Sequence, residues 1–160
     1  MEWIVDGLLY AAAVSTGLVA GLFFAFSTFI MTSLEETPHP GGMAAMQAIN
    51  RVILQSLFMP LFFGSTLIAL VLAGLAVLNG DGASAGLTVV AAALYVLGMF
   101  GVTAAFNVPP NNRLDQSALD TEDGAALWRH YLRVWTRWNH VRTLAAALSC
   151  LLFTIVIGLG

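Results

Sequence analysis

The sequence predicts an all-α bundle of four transmembrane helices, on three observations. Of its 160 residues 59% are hydrophobic and only 9% charged. The charges leave four long apolar segments almost untouched, and all six arginines fall on one side of those segments, five in the connections and Arg142 at the start of the last span. An ordinary soluble domain is about 25% charged, so a mean hydropathy of +0.84 is more than one aqueous core could hide. Membrane lipid is the first expected partner. The net charge of -3, the absence of lysine and the lack of any basic run exclude nucleic acid as a partner. Cys150 stands alone in an apolar run, which excludes an internal disulfide and reads as a small packing residue.

Taken in order, Gly7–Leu34, Val52–Gly80 and Gly82–Asn112 carry no charged residue, and each exceeds the ~20 residues a bilayer requires. The first is too long for a signal-peptide core. With Glu2 and Asp6 where a positive start would stand, it reads as retained. The chain is thus one membrane domain, 1–160, with spans at about 7–34, 52–79, 84–106 and 140–159 and polar connections at 35–51 and 107–139. The last span is short, so its helix should begin well before it. Helices 2 and 4 are expected to extend beyond the bilayer on the arginine side, as Met43–Asn79 and Gly124–Gly158. Arg51 follows the first span, and Arg113, Arg129, Arg133, Arg137 and Arg142 follow the third. By the positive-inside rule these connections are cytoplasmic, leaving both termini and the Asn79–Ser84 turn on the opposite side.

Small residues mark where helices should touch. Ala13, Gly17, Gly21 and Ala25 recur every four positions, as do Gly101 and Ala105, a spacing that lets backbones approach closely in lipid. Pro60 is expected to kink the second helix as it enters the membrane.

Polar residues collect in the two arginine-side connections. After the breaker cluster Thr37–Gly42, Met43–Ser56 reads as an amphipathic helix with Gln47, Asn50, Arg51 and Gln55 on one face. In the second connection the tandem Pro109 and Pro110 predict an extended turn, flanked by Asn107, Asn111 and Asn112. Beyond it lies WRHYLRVWTRWNHVRT, Trp128–Thr143, with three of the four tryptophans. At about 100° per residue, Trp128, Tyr131, Trp135, Trp138, Asn139 and Arg142 share an arc of roughly 100°, while Arg129, Arg133 and Arg137 lie opposite. The plain meaning is an aromatic belt with snorkelling arginines. The alternative is a pocket at the bundle mouth, because polar residues at bundle ends are functional candidates.

The order Asn50-Arg51, then Asn107-x-Pro109-x-Asn111, then Trp128, Tyr131, Trp135 and the closing Trp138-Asn139-His140-Val141-Arg142-Thr143 resembles the DUF1772 family, the anthrone oxygenase-like membrane proteins. The likeness covers nearly the whole chain. It implies a four-helix integral membrane protein that oxidises a planar aromatic substrate with O2, a monooxygenase reaction with no cofactor expected. On that likeness Arg51, Arg142, His140 and Asn139 are the candidate catalytic residues. Asn50, Asn107, Asn111, Trp128, Tyr131, Trp135 and Trp138 would bind the substrate, the aromatic side chains forming a flat slot. The base is not fixed by the residues. The ordinary pKa of His140, about 6.5, suits proton transfer, yet on the wheel it falls about 100° from Asn139, toward the arginine face. His130 is worse placed, and His39 lies in the Pro-flanked loop.

Two other classes stay open. A haem or metal site would have to reach across the chain, since His130 and His140 stand roughly 15 Å apart along one helix and no paired ligand motif occurs, so no metal is expected; a bis-His haem would need His39. A non-enzymatic lipid- or small-molecule-binding protein fits the composition, although no internal repeat of transporter type is present. A homo-oligomer is compatible with the sequence.

Overall fold

The computed structural model describes residues 2–38 and 40–160; the candidate base His39 lies outside the described residues. Among the described residues there are five helices: α1 (Trp3–Glu36), α2 (Gly41–Ile53), α3 (Phe58–Asn79), α4 (Gly82–Asp115) and α5 (Glu122–Leu159). All but α2 are long and apolar enough to cross a membrane, and the fold is the all-α four-helix bundle predicted. The protein is a multi-pass integral membrane protein. Its most extensive packing is between the first and last helices, α1 and α5.

Local chemistry explains where the helices stop. α1 ends at Thr37, whose extended backbone (ψ 130°) is what a succeeding proline imposes. Gly82, at φ +66°, turns α3 into α4 in a conformation that favours glycine. Thr121 caps α5 by accepting the Gly124 N–H at 3.0 Å, with Glu122 and Asp123 in the positive first turn. At 38 residues, α5 is about 57 Å long, nearly twice the ~30 Å hydrocarbon core. It therefore stands far out of the bilayer, as expected.

Two expectations for the connections are corrected. The segment Met43–Asn79 is not one helix: the chain turns at 54–57 between α2 and α3. Pro60 has no N–H to give the Ser56 carbonyl and its ring crowds that turn. The Ser56 hydroxyl instead donates to the Ile53 carbonyl (2.8 Å) and accepts the Phe58 N–H (3.2 Å). Nor do Pro109 and Pro110 make an extended turn, because α4 runs through them to Asp115. A π-helical turn, Thr103–Asn107, precedes them and places the prolines in the first turn of the next α-helical segment, where missing N–H groups are not needed.

The core has two parts. Across the membrane it comprises Val19, Phe23, Phe62, Leu72, Tyr95, Met99, Ala146 and Phe153 with their neighbours, and the buried Tyr95 hydroxyl pairs with Ser65 at 2.7 Å. At the arginine end Phe26, Met43, Met46, Leu114, Trp128, Tyr131 and Trp135 form a second cluster. The outer surface at membrane level is apolar, with Leu18, Phe24, Leu67, Leu97 and Leu148 exposed. Both chain ends and the Gly80 turn meet at the other end, where Asp6, Asn79, Asp81 and Gly160 border one cavity.

Only part of the small-residue reading corresponds to close approach. Gly17 lies against Cys150, whose sulfur would stand 3.2 Å from an added Cβ, whereas Gly21 has nothing within 4 Å and Gly101 meets only a carbonyl of its own helix at 3.5 Å. The tight contact between the third and last spans is Gly98, where an added Cβ would sit 2.6 Å from the Ala145 Cβ. Gly98→Ala should therefore lower the thermal stability of the detergent-solubilised protein by about 1–3 kcal/mol, the usual penalty of overpacking. Gly101→Ala should leave it nearly unchanged. Melting curves of the two variants at equal detergent check the pair.

Candidate functional site

A cavity of about 230 Å³ lies at the arginine end of the bundle, lined by residues of all five helices. Phe23 and Phe26 come from α1, Asn50 from α2, Phe58 and Phe62 from α3, Phe100, Thr103 and Asn111 from α4, and Trp135 and Arg142 from α5. Its size is a little below the roughly 300–1,000 Å³ of small-molecule sites. A larger cavity of about 650 Å³ lies at the other end. Among the described residues, no buried polar atom lacking a partner belongs to its lining, so the convergent chemistry is in the smaller one.

Arg142 dominates that chemistry. It is 4% exposed. Its guanidinium donates to Asn139 Oδ1 at 2.6 Å and to Thr103 Oγ1 at 3.4 Å, and it lies over the Phe23 ring at 4.1 Å and the Trp135 ring at 4.9 Å. Asn139 is fully buried, and its Nδ2 donates to the Phe23 carbonyl (2.8 Å) and to Ser27 Oγ (2.7 Å). The Ser27 hydroxyl in turn pairs with Thr143 at 2.9 Å. Among the described residues no carboxylate lies within ion-pair distance of Arg142; the one salt bridge joins Arg51 and Asp115. Burying an unpaired charge is strongly unfavourable, and the two ring faces and two acceptors offset only part of it.

Among the described residues, Arg142 Nε and Trp135 Nε1 of the lining have no hydrogen-bond partner, and Asn50 Nδ2 makes no hydrogen bond of good geometry although Asn50 lies against the Tyr131 hydroxyl. Each buried, unused donor costs about 1–3 kcal/mol, and most native donors are paired. All three belong to residues that line one largely apolar cavity.

The residues singled out in the sequence divide. Asn50, Asn111, Trp135 and Arg142 line the cavity. Asn139 stands behind it, with both of its amide atoms engaged in holding Arg142 to α1. Asn107 is fully buried and donates to the Trp135 carbonyl at 3.2 Å. Tyr131 donates to Asn111 Oδ1 at 2.8 Å. Trp128, Tyr131 and Trp135 do not frame an open slot: they stack on one another, with centroids 5.6 and 5.9 Å apart, and fill the core. Trp138 is stacked on Phe106 at 3.8 Å, away from the cavity. Arg51 does not share a pocket with Arg142; it is exposed and bonded to Asp115 at 2.6 Å. His140 and His130 are exposed, as are Arg129, Arg133 and Arg137. Among the described residues no three His, Cys, Asp or Glu side chains converge on a common point.

Sequence reasoning missed the phenylalanine walls and the Ser27–Thr143–Thr103 hydroxyls. A phenylalanine in an apolar span carries no sign of whether it faces lipid, core or cavity. The hydroxyls did carry a signal, as polar side chains within apolar segments.

The fold and this cavity define a polytopic membrane protein with a cationic, donor-rich aromatic pocket. The family described as Anthrone oxygenase matches residues 53–152, more than half of the chain, and the protein belongs to that family. The match takes in Asn107, Asn111 and the Trp128–Arg142 segment but not Phe23 or Asn50, which complete the cavity from α1 and α2. No curated protein and no solved structure matches the chain significantly.

The different burdens carried by Asn139 and Arg51 can be measured. Asn139→Leu leaves the Phe23 carbonyl, Ser27 and the Arg142 charge short of partners and should destabilise the protein by roughly 2–5 kcal/mol. Arg51→Ala removes an exposed pair worth about 0–1 kcal/mol. Thermal unfolding in detergent should rank the two variants in that order.

Proposed function

We propose that this protein oxidises a planar aromatic weak acid of anthrone type with O2, without a metal or organic cofactor, inside the membrane. The observation that carries the reading is the buried guanidinium of Arg142, unpaired with any carboxylate, on the wall of an apolar cavity beside unused donors. An anthrone has an acidic methylene between two aryl rings, and its conjugate base places negative charge on the carbonyl oxygen. Set against Arg142 Nε and Trp135 Nε1, that oxygen gains a counter-charge and two donors in a low-dielectric site, where such interactions are strongest. Among the described residues, no lining residue is a carboxylate, histidine or cysteine. Arg142 therefore acidifies the substrate by stabilising its conjugate base, a water molecule admitted with the substrate accepts the proton, and that proton is returned to the departing oxygen when water forms.

The electron-rich anion then transfers an electron to O2. Carbon–oxygen bond formation at the methylene and loss of water give the quinone. The sum is ArCH2 + O2 to ArC=O + H2O: the methylene carbon supplies four electrons, one oxygen atom enters the product, the other leaves in water, and no external reductant is needed. In this reading Arg142 is the catalytic residue, Trp135 and Asn50 bind the substrate oxygens, and Asn139 positions Arg142. Phe23, Phe58, Phe62 and Phe100 hold the rings.

Arg142→Ala should reduce oxygen consumption with emodin anthrone by about 10²–10³, the usual effect of removing one oxyanion donor. Arg137→Ala, on the exposed face of the same helix, should leave the rate within a few-fold. Membranes carrying each variant at matched expression provide the assay, and equal losses would sink the assignment of Arg142.

The proposal extends to orientation, with the arginine end cytoplasmic. In a Cys150→Ala background, Asp81→Cys should react with a membrane-impermeant maleimide added to intact cells, and Arg133→Cys should react only after the membrane is opened. The reverse pattern would invert the topology.

A further inference from the structure

We infer that the cavity is filled from the bilayer, through a portal between α3 and α4, and is shut toward water, so that its substrate is a neutral, lipid-dissolved weak acid that ionises only at Arg142. The inference rests on the proposed function in taking the cavity as a substrate site; the geometry of the opening does not depend on it.

Four lining residues also face outward. Leu54 is 64% and Phe63 54% exposed, and Ala104 and Val108 are exposed as well. Two come from the α2–α3 turn and the start of α3, two from the cavity end of α4. Between these pairs the helices diverge: α3 packs along α4 from Gly82 to Gly101 and hardly touches it over Thr103–Asn107. The divergence coincides with the second π-helical turn of α4, Thr103–Asn107, a feature that shifts a helix face and bends its axis. All four rim residues are apolar, and so are the exposed neighbours Leu57 and Phe106, while the exposed Arg51 and Gln55 mark the polar margin beside Leu54. Lipid chains therefore meet the opening.

The route from water is closed by a different set of contacts. Gln47, buried on α2, donates to the Leu114 carbonyl (2.7 Å) and the Ser117 carbonyl (3.1 Å), pinning α2 across the end of α4. Beneath it Met43, Met46, Leu114 and Tyr131 are almost wholly buried, and Tyr131 is bonded to Asn111. A charged solute would have to break this layer. A neutral planar molecule in the bilayer has only to pass between Phe63 and Val108, and its anion, once formed against Arg142, is poorly soluble in the lipid behind it.

The test uses the full chain in vesicles and reads Trp135, which lies on the cavity wall. Its emission is obtained as the difference between the parent and Trp135→Phe. A phospholipid with brominated acyl chains should quench that emission, and aqueous acrylamide should not. Ala104→Phe with Val108→Phe, which plugs the portal, should relieve the lipid quenching by at least half, and Phe63→Ala, which widens it, should increase the quenching. The widening variant keeps the test intact if the plugged one fails to fold. Quenching by acrylamide equal to that by lipid, no quenching by lipid, or lipid quenching unmoved by both sets of variants would each overturn the portal. The two readings fail separately. A lipid-quenched Trp135 in a protein that consumes no oxygen with any anthrone would remove the oxidation and keep the portal. Turnover in a protein quenched from water would do the opposite.

Discussion

The organisation of this end of the bundle depends on keeping one positive charge inside it. Arg142 has lost its water, and its charge is met only by an amide oxygen, a hydroxyl and two ring faces. Holding it there requires that Asn139 present its oxygen toward the guanidinium. That in turn requires the two hydrogens of its Nδ2 to be taken up elsewhere. The Phe23 carbonyl and Ser27 on α1 take them. One asparagine thus ties the charge to the α1–α5 interface, and the most extensive helix contact of the bundle becomes the support for the site. Such a support is what a buried, uncompensated cation needs, because a mobile guanidinium would find water or the interface instead.

The cavity exists because the helices around it are not regular. α1 carries a π turn at Phe26–Ile30, and α4 carries two, at Leu94–Gly101 and Thr103–Asn107. Each π turn admits an extra residue and rotates the rest of its helix, so ridges that interlock on one side of the turn no longer do so on the other. Phe26, Phe100 and Thr103 all belong to these turns and all border the cavity. Within the first π turn of α4, by contrast, Gly98 has no room for a methyl group beside Ala145 of α5.

Much of this was legible in the sequence, and the limits are physical. Charge placement marked the four spans, because each charge in lipid is so unfavourable that the chain advertises its connections. Helical periodicity identified the buried face of α5: Trp128, Tyr131, Trp135, Asn139 and Arg142 are buried, and Arg129, Arg133 and Arg137 are not. The same periodicity fails for Asn50 and Arg51. Neighbours on a helix point about 100° apart, and here that angle puts Asn50 on the cavity and Arg51 in water. A pocket at the bundle mouth was expected, and Asn50, Asn111, Trp135 and Arg142 line one, but π turns leave no composition signature, so neither its phenylalanine walls nor the passage of α4 through Pro109 and Pro110 could be read in advance. The aromatic ladder misled for a related reason. Sequence reports that Trp128, Tyr131 and Trp135 share a face, but not whether they are spaced to admit a ligand or stacked against one another.

In the proposed reaction, the feature that makes Arg142 unfavourable in the resting protein is the one that makes it effective. A neutral anthrone entering the cavity gives the guanidinium little, since its carbonyl dipole offsets only a fraction of the missing solvation. The conjugate base gives it a full counter-charge in the same low-dielectric surroundings. The site therefore binds the ionised substrate far better than the neutral one, which is the differential binding that acceleration requires. A carboxylate paired with Arg142 would stabilise the resting fold and remove that difference. The absence of such a partner among the described residues, together with donors left unused on the same wall, is what would be expected if stability had been given up for a charge that forms only during turnover.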